Sequence, residues 1–184
     1  MTPRLILVID VEATCWEGEP PPGEQAEIIE IGHALLDVPT GRVQEAGTTL
    51  VRPQRSKVGS FCTALTTLTP EMVGGGIPFA DACRFLEDAL GARAATWASY
   101  GGYDRRQFGR QCEAFGVPYP FGETHLDVKD LFALAHGLPR RVGMAAALKH
   151  LGRPLNGTHH RAGDDVRNVA DILASLISPA QRRR

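Results

Sequence analysis

The sequence predicts an α/β fold built on a mixed β-sheet. An apolar run over residues 5–9, bounded by Pro3 and by a turn-rich segment, is typical of a strand buried on both faces. Two further strand patterns, over residues 27–38 and 43–51, are joined by a short turn and predict an antiparallel meander. Downstream, helical patterns alternate with strand patterns, which indicates parallel strands added to the same sheet.

The remaining elements follow from local signals. Residues 15–26 are rich in Glu, Pro and Gly and predict a loop. Thr69 and Pro70 have the pattern of an N-cap followed by proline at the first helical position. This order of elements is that of an RNase H-like mixed sheet with helices on both faces. The other predicted elements are a strand over 94–99, a short strand leading into a helix over 125–135, and helices over 78–90, from Tyr103 onward, over 142–151 and over 164–177.

Composition narrows the class of protein. The 184 residues, 43% hydrophobic and 22% charged, predict one domain over 1–184, with its core over about 4–178 and a short basic tail over 179–184. No apolar span approaches about 18 residues and no signal peptide is recognisable, so we expect a cytoplasmic protein without a membrane partner. The four cysteines form no C-x-x-C pair, which argues against a zinc ribbon. A net charge of −1 provides no global basic field for long nucleic acid.

Two carboxylates end the first strand. Asp10 and Glu12 lie one residue apart, and side chains alternate along a strand, so both project to the same side. The two negative charges repel each other, and removing them from water costs free energy. A hard divalent cation bound between them offsets both costs. The alternative is an ordinary solvated strand end. We interpret the pair as half of a metal site.

A third carboxylate heads a helix. Asp104 shares its helical face with Phe108 and Phe115, which directs it toward the sheet. An acidic residue in a first turn also favours the helix dipole, and that is the alternative reading. Because an inward carboxylate needs a partner, Asp104 is a candidate for the same site.

The last loop and helix contain two overlapping His-x-x-x-x-Asp registers. Asp165 shares its face with the apolar stripe of the final helix, whereas Asp164 lies on a polar face. Helical phase therefore selects Asp165 as the inward carboxylate and His160 as the matching histidine, a candidate general base. His159 and Asp164 are expected to face solvent or to cap the helix.

These motifs together resemble the exonuclease motifs of the DEDD superfamily, histidine subclass. Residues 51–53 and 60–66 are further similar to the branch that contains the three-prime exonucleases of histone mRNA and of RNA interference. Because that branch's fuller members carry additional RNA-binding segments, we expect a sequence of 184 residues to have no room for one. The resemblance is carried, in order, by DVEATC at 10–15, EIIEIG at 27–32, Asp104 after a strand and glycine turn, and HRAGDD at 160–165.

The resemblance implies hydrolysis of single-stranded RNA or DNA from a 3′ end to nucleoside 5′-monophosphates. It assigns His160 as general base and four carboxylates as metal ligands. Four carboxylates suit two hard ions, so two Mg²⁺ or Mn²⁺ ions per active site are expected and zinc is not. The implied metal ligands are Asp10, Glu12, Asp104 and Asp165.

Substrate contacts are predicted next to these motifs. Ala13 and Thr14 follow the metal strand and offer backbone amides to the 3′-hydroxyl, while Leu65 or Leu68 is placed to wedge against the last base. Core packing is the alternative for both leucines. Arg161 is a candidate phosphate contact, with solvated surface as its alternative.

Two other functions remain open from sequence alone. One is a proofreading-type DNA exonuclease working with a polymerase subunit. The other is a catalytically silent nucleic-acid-binding module, although converging carboxylates that repel phosphate argue against it. RNA is favoured over DNA by the resemblance alone, and no protein partner is predicted.

Overall fold

A five-stranded sheet forms the centre of the computed structural model, which describes residues 3–178; the basic tail predicted over 179–184 lies outside them. The strands are β1 (Leu5–Ala13), β2 (Ile28–Asp37), β3 (Arg42–Leu50), β4 (Thr96–Ser99) and β5 (His125–Asp127). They lie in the order β3-β2-β1-β4-β5. β1 pairs antiparallel with β2 and parallel with β4, so the sheet is mixed, as the sequence predicts.

The described residues also form seven helices. One of them, over residues 60–66, covers a segment to which the sequence patterns assigned no element. The last helix begins at Ala162, two residues before its predicted start, because its first N–H is accepted by the Glu30 carboxylate of a distant strand. The helices are α1 (Ser60–Thr66), α2 (Pro70–Gly74), α3 (Phe79–Asp88), α4 (Tyr103–Phe115), α5 (Val128–Ala135), α6 (Met144–His150) and α7 (Ala162–Ile177).

Helices cover both faces of the sheet. Ile6 and Val8 of β1 pack into a core with residues of α5, α6 and α7. Leu7 and Ile9, which alternate with them, pack into a second core with α3 and α4. β1 is therefore buried on both faces, and the prediction from its continuous apolar run is confirmed.

The parallel pairing of β1 with β4 sets the position of the site. Parallel strands end at the same edge of a sheet, so the segment after Ser99 comes beside the carboxyl end of β1. Gly101 has φ +98°, a conformation that favours glycine, and it turns the chain into α4. Asp104 in the first turn of α4 is thereby brought next to the end of β1.

Local signals fix several helix ends. Thr69 caps α2 by accepting the Met72 N–H, with Pro70 at the first helical position as predicted. α4 ends at Gly116, which has φ +64°. None of the helices within residues 3–178 is both long and apolar enough to cross a membrane.

Candidate active site

Three predicted carboxylates meet at the carboxyl end of β1. Asp10 and Glu12 project to the same side of the strand, and Asp165 reaches them from the first turn of α7. One carboxylate oxygen from each residue lies within 4.8 Å of the other two. These are residues that the sequence predicted to lie together, although 153 positions separate Glu12 from Asp165.

Asp104 adds a fourth carboxylate to this group. It is 4% exposed, and its Oδ1 accepts the Val11 N–H at 3.0 Å, which ties the start of α4 to the end of β1. Its charge raises the pKa of Asp10. The inward direction predicted for Asp104 from its helical face is therefore confirmed.

Burial disfavours the charged forms of Asp10, Glu12 and Asp104. Burial raises the pKa of Asp10 well above its ordinary value, and the charges of Asp104 and Glu12 raise it further. Burial raises the pKa of Glu12 to about 8, with added repulsion from Asp165 and Glu30. Burial also raises the pKa of Asp104 to about 7, although hydrogen bonds from N–H groups favour its charged form. The cluster therefore favours bound positive charge.

The donor set fits hard divalent cations. Asp10, Glu12 and Asp165 offer carboxylate oxygens, the donors that Mg²⁺, Mn²⁺ and Ca²⁺ take. Oδ1 of Asp165 is buried and has no hydrogen-bond partner among the described residues. A buried carboxylate oxygen without a partner is costly, and a bound cation would supply this oxygen with one.

Both histidines of the loop before α7 lie at the cluster. Asp165 Oδ2 accepts the His160 backbone N–H at 2.9 Å and lies 2.9 Å from His159 Nδ1. His160 Nδ1 is 4.0 Å from Glu12 Oε1, and the two imidazole rings stack with centroids 4.0 Å apart. The His159 side chain is 44% exposed, in agreement with the prediction that it faces solvent, and its ring also contacts Asp165. Burial, followed by the neighbouring His159, lowers the pKa of His160.

Asp164 lies outside the carboxylate cluster. Its Oδ2 accepts the Thr158 N–H at 2.8 Å, and its side chain packs against Gly157. It therefore stabilises the loop that leads into α7, in agreement with the polar face assigned to it by helical phase.

An open cleft of about 370 Å³ lies over the cluster. Leu65 lines it and is 40% exposed, whereas Leu68 is fully buried in a core with Ile29 and Val73. The prediction that Leu68 wedges against a base is wrong, because α1 ends between the two leucines and turns Leu68 inward. Leu65 is the one of the pair that reaches the cleft.

Two other predicted contacts have partners within the protein. The Thr14 N–H donates to the Glu27 carbonyl at 2.8 Å, so it is not free for a 3′-hydroxyl, whereas Ala13 lines the cleft. The Arg161 guanidinium binds the buried Glu30 carboxylate, with Nη2 2.8 Å from Oε1, instead of standing free for phosphate. In both cases a group from another part of the chain is the partner: Glu27, directly before β2, for Thr14, and Glu30 within β2 for Arg161.

The cleft also contains side chains that the sequence analysis did not single out. Tyr103 is 44% exposed beside Asp104, and Lys129 and Met144 lie on the same wall. The position of Tyr103 could have been predicted from sequence. It directly precedes Asp104 at the start of a helix, so its aromatic ring borders the same cleft. Lys129 and Met144 had none, because they reach the cleft through the packing of α5 and α6.

A second cavity of about 350 Å³ lies beside α4 and is lined by Trp16, Arg110 and Phe115. Its carboxylate, Glu27, accepts backbone N–H groups from residues 54–56 at 2.6 to 2.7 Å. Both oxygens of the Glu27 carboxylate already accept hydrogen bonds, so Glu27 does not offer a metal ion the free carboxylate oxygens that the first cleft does.

This mixed sheet, with carboxylates from β1, α4 and α7 converging at one strand end, defines an RNase H-like nuclease domain with a divalent-metal site. The family model described as Exonuclease (RNase_T) matches residues 7–173, and the chain belongs to this family. The DEDD superfamily membership predicted from the motifs is thereby confirmed, and the family implies divalent metal ions.

Similar proteins are found in animals. 3′-5′ exonuclease Snipper of Drosophila melanogaster is 25% identical over 194 residues, covering 94% of this chain and 69% of that protein. 3′-5′ exoribonuclease 1 of Homo sapiens is 28% identical over 182 residues and 94% of this chain, which spans only 52% of the human protein. The nuclease domain of 3′hExo, a DEDDh family member solved bound to rAMP, matches with a TM-score of 0.86 and 26% identity over 97% of this chain and 94% of that chain.

Proposed function

We propose that this chain is a metal-dependent 3′-to-5′ exonuclease that releases nucleoside 5′-monophosphates from single-stranded nucleic acid, with RNA preferred. The observation that carries the proposal is the meeting of Asp10, Glu12 and Asp165 within 4.8 Å at one strand end. A similar human protein is named a 3′-5′ exoribonuclease, and this name supports both the 3′ polarity and the RNA preference.

The proposed cofactor is a pair of Mg²⁺ or Mn²⁺ ions held by Asp10, Glu12, Asp104 and Asp165. When bound, such ions acidify water and neutralise charge on the scissile phosphate and on the leaving 3′-oxygen. The raised pKa values of Glu12 and Asp104 support this assignment, because a bound cation offsets the cost of burying their negative charges.

His160 is the proposed general base. Its Nδ1 lies 4.0 Å from Glu12 Oε1, so its ring borders the space where the attacking water must stand. Burial and the neighbouring His159 lower its pKa, which keeps the ring neutral and able to accept a proton at pH 7. His159 is proposed to orient Asp165 through the 2.9 Å contact between Nδ1 and Oδ2.

The terminal nucleotide is proposed to lie in the cleft between Leu65 and Tyr103. Both side chains are more than one-third exposed and line the cleft, so they present apolar surface to a base. Ala13 is proposed to contact the 3′-hydroxyl and Lys129 to attract phosphate.

A direct assay uses end-labelled RNA and DNA oligomers, single-stranded and duplex, with Mg²⁺, Mn²⁺ or chelator. A 5′-labelled single-stranded RNA is expected to shorten one nucleotide at a time, and 5′-monophosphates are expected as the product. The Asp104→Asn variant serves as the inactive control, since it removes one charged ligand. Internal cuts, activity in chelator, or no cleavage would contradict the proposal. Cleavage restricted to DNA would favour the proofreading alternative.

Cytoplasmic location remains part of the proposal. All four cysteines are free thiols, Cys62, Cys83 and Cys112 among them buried, and this supports a reducing compartment. Fractionation of cells expressing the tagged chain tests the location, and recovery in a membrane or secreted fraction would overturn it.

A further inference from the structure

A buried ion pair anchors the loop that carries His160. Arg161 Nη2 lies 2.8 Å from Glu30 Oε1, and Arg161 Nε lies 3.3 and 3.2 Å from the two Glu30 oxygens. Glu30 is fully buried in β2, and the Arg161 side chain is 27% exposed. Two N–H groups facing one carboxylate fix the orientation of the guanidinium plane as well as its position.

The same carboxylate also holds the backbone one residue further along the chain. Glu30 Oε2 accepts the Ala162 N–H at 2.8 Å, so one side chain of β2 binds two successive residues after His160. β2 and α7 also touch directly, because a β-carbon placed on Gly32 would collide with the Ala162 carbonyl. The chain therefore has little freedom at the residues that follow His160.

His160 itself has an unusual backbone conformation. Its φ is +62°, a left-handed conformation that side chains other than glycine rarely adopt. Such a conformation persists when neighbouring contacts impose it. The contacts on this residue are its N–H bond to Asp165 on one side and the anchoring of Arg161 on the other.

Glu30 lies close enough to the carboxylate cluster for its charge to act on it, although Glu30 is not one of the proposed metal ligands. It pairs directly with Glu12 in the β1–β2 register, and both of its oxygens are bound by Arg161 and Ala162. An unpaired Glu30 would add a fifth negative charge beside the metal site. The Arg161 guanidinium offsets that charge.

We propose that Glu30 and Arg161 are positioning residues that set the His160 ring against the carboxylate cluster. They act through His160 and contact neither the metal ions nor the substrate. This proposal rests on the proposed exonuclease function. It also replaces the phosphate contact that the sequence suggested for Arg161 by a contact within the protein.

The test compares Arg161→Gln in two backgrounds, wild type and His160→Ala, with kcat and KM measured separately on single-stranded RNA. In the wild-type background we expect kcat to fall about tenfold to a hundredfold with KM nearly unchanged, since small misplacement of a reacting group has losses of this order. In the His160→Ala background the same substitution is expected to change kcat less than about twofold, because there is no base left to position. Arg161→Lys keeps the positive charge but loses the paired N–H groups of the guanidinium. Its kcat is expected to lie between those of wild type and Arg161→Gln.

Arg167→Gln is the matched control. It removes the same charge from an exposed position on α7, the helix that begins directly after Arg161, and we expect kcat and KM to be unchanged. Equal losses of kcat from Arg161→Gln in both backgrounds would overturn the proposal. A rise in KM with unchanged kcat would instead assign Arg161 to phosphate. An inactive wild type would refute the exonuclease function itself, which is a separate outcome.

Removing one partner leaves a buried charge unpaired, so Arg161→Gln is also examined by thermal melting. If it does not fold, the double variant Glu30→Gln, Arg161→Met removes both charges and retains side-chain volume. That variant is expected to fold and to show the same loss of kcat, with no loss in the His160→Ala background. Full activity of the folded double variant would overturn the proposal.

Discussion

Replacing Glu12 by Gln is expected to stabilise the metal-free protein while abolishing turnover. Burial and the charges of Asp165 and Glu30 raise the pKa of Glu12 from 4.5 to about 8. The folded state therefore holds this proton more tightly than the unfolded chain does. The contribution of Glu12 to stability is therefore fully present below pH 4.5 and is lost as the pH rises from 4.5 toward 8, because the unfolded chain releases this proton at a lower pH than the folded state does.

The size of the effect follows from the pKa difference. Each pKa unit corresponds to about 1.4 kcal/mol, so at pH 7 the raised pKa of Glu12 destabilises the folded state by about 3 kcal/mol. Glutamine keeps the volume of the side chain and carries no charge. For a chain of this size, a gain of about 3 kcal/mol raises Tm by about 6 to 12 °C.

The assay is thermal or chemical unfolding of both proteins in chelator at about pH 4 and about pH 7. The gain in the free energy of unfolding is expected at the higher pH and is expected to disappear at the lower one, where Glu12 is protonated in both states. The matched control is Glu113→Gln, an exposed carboxylate on α4, for which we expect less than about 0.5 kcal/mol at either pH.

Mg²⁺ provides the second measurement. A ligand that binds only the folded state raises stability, so Mg²⁺ is expected to raise the Tm of wild type more than that of Glu12→Gln. Equal stability of the two proteins at pH 7 in chelator would refute the electrostatic reasoning. A gain of the same size at both pH values would show that packing, and not charge, is responsible.

Three further predictions concern the remaining site residues. Asp104→Asn is expected to abolish turnover and keep the fold, because the amide oxygen retains the hydrogen bond to β1; turnover and melting measure both. His160→Ala is expected to lower kcat about a hundredfold to ten-thousandfold, and His159→Ala, which loses only the contact that orients Asp165, is expected to lower it about tenfold, when both are assayed on the same RNA. Leu65→Ala is expected to raise KM about tenfold with stability kept, while Leu68→Ala lowers the free energy of unfolding by about 2 to 5 kcal/mol without raising KM.

A specific result would contradict each of these three predictions. Activity of Asp104→Asn at saturating Mn²⁺ would remove that residue from the metal site. Equal losses from the two histidine variants would mean that the wrong register was chosen. The pH profile adds a check, since the lowered pKa of His160 places the acid limb of wild-type activity below the ordinary value of 6.5 and the His160→Ala variant lacks that limb. Exchanged phenotypes for the two leucines would contradict their burial.

Periodicity allowed much of this protein to be predicted from sequence. The apolar run of β1 placed Asp10 and Glu12 on one side of a buried strand, and helical phase chose Asp165 over Asp164. These predictions succeed because burial imposes a period of about two on strands and about 3.6 on helices, and a residue's direction follows from its position in that period. The antiparallel pairing of β2 with β3 follows from the short turn that joins them.

The tertiary structure decided what periodicity does not contain. Whether Leu65 or Leu68 borders the cleft depends on where α1 ends. Arg161 binds Glu30 and is not free for phosphate, because β2 places this buried carboxylate beside it although the two residues lie 131 positions apart. The ring of His159 likewise meets Asp165 only because the loop folds back at His160. In each case a hydrogen bond or a packed surface distant in sequence determines the side chain's partner. Local patterns set the direction in which a residue points, whereas the partner it meets there depends on how the elements pack.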